Sequence, residues 1–168
     1  RMTQAGVVAV CEPAFWAGFD RHHAGTLLDY FRQIAEFEPT RAAQYGIQHF
    51  CWVAMNPKEA ENVPLSREVI AHLPEFLQRP NVIGVGEIGF NMNSANERTI
   101  FQEQLEIAKR CNALVLIHTP HLAHKRQGTV LTLELLKEVG LPPERVWVDH
   151  AEEHTIGMIL DGGYWAGL

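Results

Sequence analysis

The sequence predicts an α/β fold in which a parallel sheet is covered by helices. Three observations predict it. Five short, nearly unbroken apolar runs alternate with amphipathic helical segments, the pattern of strands buried on both faces. Each run leads into a polar residue: Glu12, Asn56, Glu87, His118 and His150. From Asn56 onward these residues recur at intervals of 31, 31 and 32 positions, about the length of one strand–helix unit.

The elements follow in order. Residues 1–6 read as the last turn of a helix closed by Gly6. Residues 7–11 are apolar and mostly β-branched, a buried strand. Residues 26–44 place Leu27, Leu28, Phe31, Ile34 and Ala35 at helical spacing, and Gly46 stops the helix. Residues 50–55 form the second strand. A helix over 66–78 puts Val69, Ile70, Leu73, Phe76 and Leu77 on one face, with Ser66 as its N-cap and Pro74 as a kink. Residues 82–86 form the third strand. The clearest helix spans 96–112, with Ile100, Phe101, Leu105 and Ala108 inward. A strand at 114–117, a helix at 129–139 closed by Gly140, a strand at 145–148 and a helix at 152–160 follow. Residues 162–166 read as the start of one more strand.

Composition excludes several classes. The chain has 168 residues, 46% hydrophobic and 20% charged, which rules out a disordered, collagen-like or disulfide-scaffold protein. The net charge of -6 provides no overall field to draw in nucleic acid. The adjacent basic pairs Lys109-Arg110 and Lys125-Arg126 read as helix-surface charge. Cys11, Cys51 and Cys111 are odd in number and widely spaced, and read as buried free thiols of a cytoplasmic protein. No stretch approaches the ~20 apolar residues of a membrane helix.

Parallel βα proteins gather their chemistry at the carboxyl ends of their strands, so the five strand-end residues are expected on one rim. Glu87, His118 and His150, from three successive units, suit a divalent metal: imidazole and carboxylate are its donors. One or two ions (Zn, Mn or Mg) are expected, activating water for hydrolysis. His121 follows His118 on a stretch stiffened by Pro120 and is read as substrate-binding. Glu12 and Trp16, at the end of the first visible strand, are read the same way. His22, His23, His124 and His154 are assigned to the surface; His49 and His72 to structural roles.

Gly84, Gly86 and Gly89 also fit the GxGxxG pattern of a dinucleotide-binding turn. The context opposes it. Residues 90–94 intervene before the next helix, the position about 20 residues on, where an acidic strand end is required, falls at Lys109 inside a helix, and Glu87 would lie beside the pyrophosphate. A nucleotide-binding α/β domain is thus a minor alternative, beside a non-catalytic barrel piece.

Three motifs, Val85-Gly86-Glu87-Ile88-Gly89, Ile117-His118-Thr119-Pro120-His121 and Val148-Asp149-His150, resemble the TatD-like metal-dependent hydrolases of the amidohydrolase superfamily. The resemblance covers nearly the whole chain and implies a (β/α)8 TIM barrel. It assigns Glu87 to the fourth-strand carboxylate, which can bridge two metals and is catalytic. It assigns His118 and His150 to the fifth- and sixth-strand ligands. The first-strand HxH and the eighth-strand Asp of that pattern have no match here. Residues 1–168 are therefore expected to form one incomplete TIM barrel, strands two to six plus the start of seven, cut at both ends and weak or inactive in hydrolysis. An ester, amide or phosphodiester of a small molecule is the expected substrate; nucleic acid enters through the resemblance alone.

Overall fold

The computed structural model describes residues 2–168. Six strands form one sheet: β1 (Ala9–Glu12), β2 (Gln48–Val53), β3 (Val82–Gly89), β4 (Leu114–His118), β5 (Val146–Asp149) and β6 (Trp165–Ala166). Their spatial order is their sequence order, and all neighbours are parallel. One concavity is lined by Cys11, Trp52, Ile83, Leu114, Trp147 and Trp165, one residue from each strand. The sheet therefore curls into a half-barrel, as the α/β reading requires.

Parallel neighbours need crossover connections, and helices supply them. They are α1 (Ala24–Arg32), α2 (Glu38–Ala43), α3 (Val63–Ile70), α4 (Leu73–Phe76), α5 (Ala95–Arg110), α6 (Lys125–Val139) and α7 (Ile156–Asp161). A π-helical segment, Gln33–Phe37, joins α1 to α2. The core lies between the convex face of the sheet and these helices. Val115, Ile117, Val146 and Val148 of the strands meet Phe31, Val69, Ile100, Leu105, Leu135 and Leu136 there, all fully buried. Each such side chain contributes about 1.5–3 kcal/mol on burial.

Several boundaries differ from expectation, each for a local reason. The helix expected over 66–78 is two helices. Pro74 has no N–H and its ring crowds the carbonyl four residues back, which is where α3 ends, at Ile70. The N-cap is Asn62, whose Oδ1 accepts from the Leu65 amide at 3.2 Å; Ser66 lies inside the helix and donates to the Asn62 carbonyl. Helix α6 begins at Lys125, four residues early. Lys125 and Gly128 are buried there, so a polar, glycine-containing stretch that reads as loop is held helical by packing. Strand β1 starts two residues later than expected and ends one later, because its pairing starts at Ala9 opposite Gln48. Strand β3 continues to Gly89 and takes in the whole Gly-Glu-Ile-Gly motif.

Cys51 is buried, but Cys11 and Cys111 are exposed, correcting the expectation of three buried thiols. Cys111 caps the end of α5, and Cys11 faces the concavity. Gly6 does close a short helical turn, Thr3–Ala5, in a left-handed conformation; Arg1 lies outside the described residues. Among the described residues no helix is long and apolar enough to cross a membrane.

Candidate metal centre

The site is built on β3. A Cβ on Gly86 would overlap Leu116 of β4, so only glycine lets the two strands approach there. Gly89 has φ +139°, a region that side-chain-bearing residues rarely adopt, and a Cβ on it would strike the His118 carbonyl. Close approach of β3 and β4 brings Glu87 and His118 to one rim. The segment after β1 crosses to the same place: the Ala14 amide donates to the Gly86 carbonyl at 3.1 Å and the Glu87 amide to the Ala14 carbonyl at 3.3 Å. All three glycines lie inside β3 and α5 starts only at Ala95, so there is no glycine turn opening a helix. The dinucleotide-turn reading fails on this geometry.

Neighbouring elements hold the rim still. Ser94 and Glu97 form a reciprocal capping box on α5, and the Glu97 carboxylate also accepts from the Asn91 and Met92 amides. Gln104 clamps the end of β2, accepting from the Met55 amide at 2.8 Å and donating to its carbonyl at 3.0 Å.

The structure brings together four of the expected site residues. Glu87 Oε1 lies 3.6 Å from His150 Nε2, and Glu87 Oε2 lies 3.9 Å from His118 Nδ1. The imidazole centroids are 4.8 Å apart for His118 and His150, 5.4 Å for His118 and His121, and 5.1 Å for His121 and His150. Neither ring nitrogen of His118 has a hydrogen-bond partner, although its side chain is only 8% exposed. A buried polar atom left without a partner costs about 1–3 kcal/mol. An electrophilic ligand removes that cost.

Two sets of donors could hold an ion, each with its ligand atoms within 4.8 Å of one another: His118, His121 and His150; and Glu87, Asp149 and His150. Imidazole nitrogens and carboxylate oxygens are the donors that divalent cations take, so the residues fit the expected metal. Burial, and then the charges of His150 and His121, push His118 down to about 3. His121 is lowered for the same leading reason. The Glu87 carboxylate holds His150 above the usual histidine value. Near neutral pH, His118 is therefore an uncharged imidazole with a free lone pair.

Lys125 is a second finding. It is 1% exposed, not surface charge as the sequence suggested. Its Nζ donates to the His150 carbonyl at 2.6 Å and to Thr119 Oγ1 at 3.0 Å, and the Thr119 hydroxyl donates to the Asp149 carbonyl at 2.8 Å. Burial lowers its pKa. His150 has φ +60°, the left-handed region that costs a residue with a Cβ on the order of 1–3 kcal/mol. The Lys125 bond to its carbonyl anchors that conformation and so aims the imidazole.

The other residues fall elsewhere. Glu12 is not in the cluster: its Oε2 bonds His49 Nε2 at 2.8 Å. The reason is pleat parity. Glu12 shares the side of Val10, whose partner across the ladder is His49, while Cys11 takes the concave side. Trp16 Nε1 donates to Asp20, and the Lys58 ammonium lies 4.6 Å over its ring. The Lys58 charge also helps to lower His118 and His121. Asn56 uses its side chain to cap a short turn, accepting from the Lys58 amide. His22, His23 and His154 are exposed, His124 is half-buried, and His72 is exposed rather than structural. Sequence reasoning missed Asp149, Thr119 and Lys125 as parts of the site. Asp149 was legible as the neighbour of His150; Lys125 carried no signal, since its burial is tertiary.

Comparison with known proteins shows the family. The family described as TatD related DNase matches residues 6–168. A protein of Methanocaldococcus jannaschii named as an uncharacterized metal-dependent hydrolase is 32% identical over 142 residues. That match takes in 84% of this chain but 55% of the relative, so the chain spans about half the relative's length. The crystal structure of a TatD-like protein from Archaeoglobus fulgidus superposes with a TM-score of 0.87 at 30% identity, over 99% of this chain and 68% of that one. With its strand order, its Gly-Glu-Ile-Gly strand and its histidine-rich rim, this chain belongs to the TatD-related family.

Proposed function

We propose that the chain is the metal-holding part of a divalent-metal-dependent hydrolase of the amidohydrolase type. One observation carries the reading: a buried His118 with both ring nitrogens unpartnered, facing Glu87 and His150. Glu87, His118 and His150 hold the ion. Glu87 doubles as the catalytic carboxylate, since its two oxygens face different histidines. A divalent ion bound there would lower the pKa of its water toward neutrality and would polarise the scissile centre. Lys125 and Thr119 keep His150 aimed. Lys58 and Trp16 bind the substrate, and the ammonium favours an anionic one, so a phosphodiester is the proposed bond. With a net charge of -6, a small substrate is favoured over long nucleic acid. The three free thiols support a reducing, cytoplasmic setting.

The test is metal content and turnover. Parent protein and the Glu87→Ala and His118→Ala variants are loaded with Zn2+, desalted and measured by mass spectrometry, then assayed on a chromogenic phosphodiester. The parent is expected to retain metal and both variants to lose it. Equal metal content in all three would sink the proposal. The 168 residues hold no HxH motif, so turnover is expected to rise in a longer version that supplies one.

A further inference from the structure

We infer that His121 supplies a third imidazole to the metal site, so that His118, His121 and His150 form a nitrogen-rich set selective for zinc-like ions over magnesium. This rests on the metal-centre reading above and goes beyond the Glu87, His118 and His150 set. The first support is geometric. The three rings pack mutually, with every pair of centroids within 5.4 Å, and their ligand atoms lie within 4.8 Å of one another. Two nitrogens on one tetrahedral zinc stand about 3.4 Å apart, given Zn–N bonds of about 2.0–2.1 Å. Small side-chain rotations close that difference.

The second support is the orphaned His118. Both its nitrogens are buried without partners, so the cluster contains a donor that the protein itself does not use. The third is the backbone that carries His121. Gly128 of α6 lets Pro120 press against the helix, where any Cβ would overlap the proline ring. The Thr119 hydroxyl ties the preceding residue to the Asp149 carbonyl. The loop is thus pinned on both sides, and His121 is delivered to the rim by packing rather than by chance placement of a long side chain.

Donor chemistry sets the selectivity. Imidazole suits zinc, copper, nickel and iron; carboxylate and water suit magnesium and manganese. The alternative set, Glu87, Asp149 and His150, has two carboxylates and one imidazole. It shares only His150 with the three-imidazole set. Removing His121 therefore weakens the nitrogen-rich set and leaves the oxygen-rich one whole.

The experiment is a titration of the chain and its His121→Ala variant with Co2+, read by visible absorption, and with Zn2+ and Mn2+, read by calorimetry. His121 is exposed, so its loss leaves folding intact. The His121→Ala variant is expected to bind Zn2+ and Co2+ on the order of 100-fold more weakly, at the upper end of what loss of an outer-sphere partner alone produces. Its Co2+ bands should weaken and shift, while Mn2+ affinity stays within about threefold. Unchanged Zn2+ affinity and an unchanged Co2+ spectrum in His121→Ala would overturn the inference while leaving the metal centre standing. Failure of the parent to bind any of the three ions would remove both.

Discussion

Two Glu–His associations each join neighbouring strands, and they differ in how they are satisfied. On the convex side, Glu12 and His49 make a 2.8 Å hydrogen bond, and one ring nitrogen of His49 stays unpartnered. On the concave rim, Glu87 stands 3.6 Å from His150 and 3.9 Å from His118, and both nitrogens of His118 are unpartnered. The residue types are the same. The first pair has used its chemistry to hold β1 against β2. The second keeps its chemistry available, at a cost in stability that only a ligand relieves. The candidate site is marked by the bonds it leaves unmade.

The sharpest way to break this comparison is to remove one histidine from each side. His118→Leu is expected to abolish Zn2+ retention, a loss well beyond 100-fold, yet leave the denaturant midpoint of the chelated protein unchanged or raised, because an unpartnered buried polar group is gone. His49→Leu is expected to keep metal affinity and lose about 1–3 kcal/mol of stability, because Glu12 is left without its partner. Denaturant unfolding in chelator and metal titration of both variants check the pair. A stability loss in His118→Leu equal to that in His49→Leu would erase the distinction.

Acid unfolding of the chelated protein sharpens it further. His118 titrates near 3 in the folded state against 6.5 when unfolded, so between those values the unfolded chain binds the extra proton. Stability must therefore fall as pH drops through that window, by at most about 1.4 kcal/mol per pH unit. His150, raised by Glu87, works in the opposite sense: its contribution is present at low pH and lost as pH rises through its folded value. His118→Leu should flatten the acid limb of stability against pH. An unaltered limb would show that other groups govern it.

The smallest expected effect concerns the anchor behind the site. Lys125→Met removes the bonds to the His150 backbone carbonyl and Thr119 but leaves every proposed donor side chain in place. Metal affinity should drop about tenfold, in the range for groups that orient a ligand. Lys125→Arg should recover part of it. Calorimetric titration of the three proteins measures this, and no change in Lys125→Met would show that the left-handed His150 needs no anchor.

Much of this was legible in the residues. The interval of about 31 positions between Glu87, His118 and His150 is one strand–helix unit, and parallel topology then puts their strand ends on one rim. Glu12 obeyed the same rule of position and still left the cluster. A strand end has two sides, and a shift of one residue in strand register exchanges them. The spacing rule names the rim but not the side. Lys125 was illegible for a different reason: a lysine beside an arginine reads as solvent-facing unless the packing partners are known.

The sequence by itself determined the alternation of strands and helices and the rim on which Glu87, His118 and His150 meet. These follow from periodicity and residue chemistry, which are local. The tertiary structure decided which side of each strand end faces the concavity, that His121 and Asp149 join the cluster, and that Lys125 is buried behind it. Those outcomes depend on pleat register and on contacts between residues about 25–40 positions apart, such as Lys125 with His150 and Glu12 with His49. No local pattern encodes such contacts; close packing of β3 on β4 and of α6 on the rim loop creates them.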